Sequence, residues 1–76
     1  MIGSIIKINC KGVNSVEGVA LREGVLISVL DYSHERGFLV GKVFDRVMNS
    51  LIDGREVSLV FQHGNKPFCV LQSQLK

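Results

Sequence analysis

The sequence predicts an α+β domain in two layers: a mainly antiparallel sheet of four to five strands with one amphipathic helix packed on one face, in the order βββαββ. Three observations predict it. Apolar residues alternate in short runs before Asp31, recur at three- and four-residue steps from Phe38 to Ile52, and alternate again after Gly54. A chain of 76 residues has room for one core, so residues 1–76 are expected to form a single compact domain.

The first run, "SIIKINC", places Ile6, Ile8 and Cys10 on one face and Ile5, Lys7 and Asn9 on the other. That period, with β-branched side chains, is a strand signal. "KGVNS" reads as a turn, with Gly12 and Asn14 supplying permissive backbone. "VEGVALR" and "VLISVLDY" read as two further strands joined by a hairpin at "EG". Between Val25 and Leu30 only Ser28 is polar, the pattern of a strand covered on both faces.

From Phe38 the period changes. Leu39, Val40, Val43, Phe44, Val47, Met48, Leu51 and Ile52 form one stripe on a helical wheel, opposite Lys42, Asp45, Arg46, Asn49 and Asp53. Gly54 follows where a left-handed helix cap is expected. "REVSLVF" then returns to strand period, with Val57, Leu59 and Phe61 on one face. "HGNK" reads as a turn and "PFCVLQSQL" as the last strand, with Pro67 at its first position, where a missing N–H is tolerated.

The stretch "DYSHERGF" crowds Asp31, Tyr32, Ser33, His34, Glu35 and Arg36 together, most of what a hydrolytic site uses. Its position, between strand period and helix period, predicts a helix start instead. Ser33 or Asp31 supplies the N-cap oxygen, and Glu35 lies favourably in the first turn. A catalytic triad needs its base to face its nucleophile, and side chains adjacent in a regular segment, as Ser33 and His34 are, diverge. An enzyme would have to rest on His34 or His63, and nothing in the sequence orients either.

"GFLVGK" lacks the spacing of a phosphate-binding loop, because Gly37 and Gly41 are four apart and Val43 stands in place of the hydroxyl residue. Cys10, Cys69, His34 and His63 number enough for zinc, but none forms the local pair that structural zinc sites use. No catalytic residue, cofactor or metal is therefore expected. Both cysteines sit in apolar runs and are expected to be free, buried thiols in a reducing, cytoplasmic setting. No secretion signal or run long enough to span a membrane is read in the sequence, and no small-molecule substrate is implied.

Two partner classes remain. A net charge of +2, spread along the chain, is not the concentrated positive charge of a dedicated nucleic-acid binder. Strand alternation still aligns Lys7, Asn9 and Lys11, and likewise Gln72, Gln74 and Lys76, as a mildly basic stripe that would suit a nucleic-acid-binding regulator. The leading expectation comes from apolar surplus. One helix covers one sheet face, which leaves Leu26, Leu30, Val60 and either Leu71 or the pair Phe68 and Val70 as candidates for an uncovered one. These residues, with the edge strand beginning at Pro67, predict a non-enzymatic protein–protein interaction module. Its partner would be a second copy in a homodimer, or a larger machine for which the chain is adaptor or inhibitor. Compact domains of this size in phages and mobile elements often play such parts.

Overall fold

A computed structural model describes residues 1–45, 52–62 and 64–71. These residues form the strands β1 (Ile5–Ile8), β2 (Val13–Asn14), β3 (Ala20–Leu21), β4 (Leu26–Ser33), β5 (Phe38–Phe44), β6 (Glu56–Val60) and β7 (Phe68–Val70). Five strands make one sheet in the order β6-β5-β4-β1-β7, every pair antiparallel, while β2 and β3 form a separate two-stranded ribbon.

Alternation decides which side chains fill the core. Ile6 and Ile8, Val25, Ile27 and Val29, Leu39 and Val43, and Val57 and Leu59 all point to one face and are essentially inaccessible to solvent. That face is closed by the sheet's own curvature. Edge strands of a flat five-stranded sheet stand about 19 Å apart. Here Phe61, just after β6 at one edge, and Phe68, at the start of β7 on the other, meet edge to face with ring centroids 5.3 Å apart. Tyr32 stacks on Phe61 at 6.1 Å. The β2–β3 ribbon adds Val19 and Leu21 to the same cluster. The sheet thus wraps around a single core, as in a small, partly closed barrel.

This overturns the expected helix layer. Among the described residues there is no helix, and Phe38–Phe44 is a strand paired on both sides. Of the rest of the predicted stripe, Val47, Met48 and Leu51 lie outside the described residues, and Ile52 lies in a bend, half-buried against the core. The error has a physical cause: residues four apart share a face in a helix and in a strand alike. Leu39 and Val43 are such a pair, and Gly41 between them faces the same core. A glycine in mid-helix is costly, whereas at this point of β5 it is required. A Cβ on Gly41 would lie 2.3 Å from Ile27 Cγ2 and 2.7 Å from the Ser28 carbonyl oxygen.

The predicted helix start at "DYSHERGF" is a hairpin turn joining β4 to β5. The Ser33 hydroxyl accepts a hydrogen bond from the Arg36 N–H, as an N-cap would, and the Ser33 carbonyl accepts one from the Gly37 N–H. That is a single helical turn, stopped after four residues by Gly37 at φ 68°. Just before it, the β4–β5 register slips between Val29 and Asp31, leaving Leu30 as the extra residue of a bulge. Without the slip Asp31 would point into the core. With it Asp31 is exposed and Tyr32 turns inward onto Phe61.

Two smaller expectations also change. "VEGVALR" contributes only Ala20–Leu21, which pairs with Val13–Asn14 rather than across "EG" with β4. Cys10 lies beyond the end of β1 and is exposed, while Cys69 is half-buried; both thiols are free.

Candidate functional site

Among the described residues there is no pocket, and no three histidine, cysteine or acidic side chains converge as a metal-ligand set. What distinguishes the surface is its outer, convex face and its two edges. Strand register lays out that face row by row. Phe38 stands opposite Val60 and Ser33, and Val40 opposite Ser58 and Asp31. Lys42 stands opposite Glu56 and Ser28, and Leu26 stands between Lys7 and Phe44.

One apolar strip results. Val60 is 71% exposed and Leu30 48%, and between them lie the half-buried Phe38 and Val40. Val16 reaches the neighbouring edge through its N–H, which donates to the Ser58 carbonyl, and is itself 67% exposed. The strip is bordered by both charge signs, Asp31 on β4 and the facing pair Lys42 and Glu56. Leu30 faces outward by plain alternation with Leu26 and Ser28, and the bulge adds the exposed Asp31 beside it.

The six candidate contact residues divide between the two faces. Leu30 and Val60 belong to the strip. Leu26 and Leu71 are half-buried on the convex face farther along, beside Lys7 and Ile5. Phe68 is only 4% exposed and fills the core, with Val70 packed against that core. In the basic stripe, Lys7, Asn9 and Lys11 are exposed, but Lys7 is flanked by Leu26 and Cys69. Gln72, Gln74 and Lys76 lie outside the described residues, as does His63. His34 is exposed, and its Nδ1 is 3.1 Å from the Tyr32 hydroxyl, while Ser33 holds the turn.

The two sheet edges are treated differently. On β6 the backbone groups of Ser58 point away from β5, and the tip of the β2–β3 ribbon meets both. The Val16 N–H donates to the Ser58 carbonyl at 2.8 Å, and the Glu17 carboxylate accepts the Ser58 N–H at 2.8 Å. That backbone hydrogen bond, with a second from the Ser58 side chain, holds the Glu17 carboxyl at about 2, below its usual 4.5. The ribbon tip therefore occupies the outward hydrogen-bonding groups of Ser58, at the middle of an edge that could otherwise accept another strand.

A pH dependence follows. Because the folded-state value is depressed, the stabilisation from Glu17 is full above about 4.5 and is lost as pH falls toward 2. Thermal unfolding of the wild type and of Glu17→Gln should differ most near neutral pH and converge between those values. A difference that stays constant down to pH of about 2 would show that the charge of Glu17 does not hold the ribbon.

In comparisons with known proteins, no family model, no curated protein and no solved structure matched this chain. Among the described residues no helix is long and apolar enough to cross a membrane.

Proposed function

We propose that the chain is a non-enzymatic protein–protein interaction module whose contact surface is the convex apolar strip of β4, β5 and β6. The observation that carries this reading is the exposure of Val60 and Leu30 around Phe38 and Val40, on a sheet whose other face already holds a complete core. Folding does not need these side chains outside, and exposing contiguous apolar surface is unfavourable unless something covers it. Mixed charge along the border suits a protein surface better than a polyanion, which would select positive charge alone. Free thiols at Cys10 and Cys69 agree with a reducing, cytoplasmic setting.

The test is affinity capture from the source cells with two baits, the wild type and Val60→Asp. Val60 is mostly solvent-exposed, so the variant should keep its fold and its melting temperature. The proposal expects a protein retained by the wild type, still bound at high salt, and lost at least about tenfold with Val60→Asp, because an unpaired charge would be buried in the contact. Equal retention by both baits, or a complex that dissolves steeply as salt rises, would count against it.

A further inference from the structure

We infer that two copies of this chain pair edge to edge through β7, antiparallel and centred on Cys69. The inference rests on the backbone of the edge opposite β6 and is independent of the strip on β4–β6.

The Asn9 N–H donates to the Pro67 carbonyl and the Leu71 N–H to the Ile5 carbonyl, each at 2.9 Å. These bonds set the phase of β7. Pro67, Cys69 and Leu71 turn their backbone groups toward β1, so Phe68 and Val70 turn theirs outward. Among the described residues no strand lies on that side. Among the described residues, nothing like the ribbon tip on β6 pairs with this edge. No charged residue falls between Pro67 and Leu71, and the adjacent Lys66 is folded back, its ammonium 5.8 Å from the Tyr32 ring and 6.0 Å from the Phe68 ring. An uncharged, unguarded edge is the kind that accepts a further strand.

A second copy fits because this edge is its own complement. With Cys69 on the two-fold axis, the outward N–H of Phe68 meets the outward carbonyl of Val70 in the other copy, and the reverse. Every outward group from Phe68 to Val70 is then paired. On the convex face, half-buried Pro67 meets Leu71 of the second copy and Cys69 meets Cys69, a continuous uncharged seam. A two-fold contact needs such self-complementarity. The nearest like charges, Lys7 on each β1, stand three strand spacings apart, about 14 Å. That exceeds the screening length of about 8 Å at physiological salt, so they do not oppose the pairing. Each copy brings its own β4–β6 strip, so the dimer carries two of them.

Cys69 is also the reporter. In a non-hydrogen-bonded antiparallel pair the facing Cα atoms are about 4.5 Å apart, within the disulfide range of about 4.4–6.8 Å. The experiment compares Cys10→Ser, which keeps Cys69, with Cys69→Ser, which keeps Cys10, under mild copper–phenanthroline oxidation of dilute protein. Light scattering is run in parallel on the reduced wild type. The expected result is twice the chain mass, and a disulfide-linked dimer forming at least about tenfold faster through Cys69 than through Cys10, because pairing raises the local thiol concentration. Val70→Pro removes an outward N–H without touching the bonds to β1. It should raise the dissociation constant at least about tenfold. If that variant does not fold, Cys69→Lys, which puts two positive charges on the axis, should yield a monomer. A wild type that stays monomeric at every concentration overturns the inference. So does a dimer whose mass persists in the folded Val70→Pro or Cys69→Lys protein.

Discussion

Gly37→Ala is expected to destabilise the fold by about 3–5 kcal/mol, a large part of what a domain this size possesses. Two independent costs coincide at this residue. Its φ of 68° is a region that residues with a Cβ enter unwillingly. The added Cβ would also lie 2.1 Å from the Phe61 carbonyl oxygen, where the Phe61 N–H already donates to the Gly37 carbonyl at 2.7 Å. Backbone on both sides of the clash cannot yield as a side-chain end would. Thermal melting should show a fall on the order of 20 °C. Gly37→Asn separates the two costs. Asparagine accepts positive φ, so a full recovery would show that dihedral strain alone was at issue. The geometry predicts little recovery here. At Gly54, where φ is 84° and nothing lies within 4 Å, asparagine should be tolerated.

Gly41→Ala should cost about 2–3 kcal/mol, from overpacking without dihedral strain. The Cγ2 of Ile27 at 2.3 Å has some freedom to turn, but the Ser28 carbonyl oxygen at 2.7 Å is part of β4 and does not. Relief requires β4 and β5 to separate next to the bulge that turns Asp31 outward. Gly41→Ala should therefore speed amide hydrogen exchange along β4 and β5 more than along β1 and β7. Uniform acceleration over the whole sheet would show that the contact is not local.

These two glycines mark where sequence reading failed. Alternation located β1, the inner face of β4 and the inner face of β6, because Ile6 and Ile8, Ile27 and Val29, and Val57 and Leu59 each sit two apart in β-branched company. Residues 38–44 were ambiguous: the Leu39–Val43 step suits either period, and the missing inward side chain at Gly41 hid the strand alternation. β-Branched and aromatic content, together with a glycine at mid-segment, was the signal that favoured strand. At "DYSHERGF" the capping serine was genuine, but only the long-range approach of Phe61 shows that the chain must reverse at Gly37 rather than continue. The sequence leaves open whether Leu71 or the pair Phe68 and Val70 faces outward, because the phase of β7 depends on its pairing with β1, which no local pattern encodes. Leu30 and Val60 were legible as candidate contacts, although for a reason, an uncovered side opposite a helix, that the described structure does not contain.

The functional reading follows from how this small sheet disposes of its apolar residues. Curvature and the β2–β3 ribbon let one face bury the core of the described residues. The strip around Phe38, Val40 and Val60 is left outside, and the ribbon tip guards the adjacent edge.

Site-specific photocrosslinking in the source cells tests that claim most directly. A benzoylphenylalanine placed at position 60 samples the strip, and one at position 11 samples the basic loop after β1. The account predicts a discrete protein adduct from position 60 and none from position 11. Adducts to protein or nucleic acid from position 11, with position 60 silent, would contradict it.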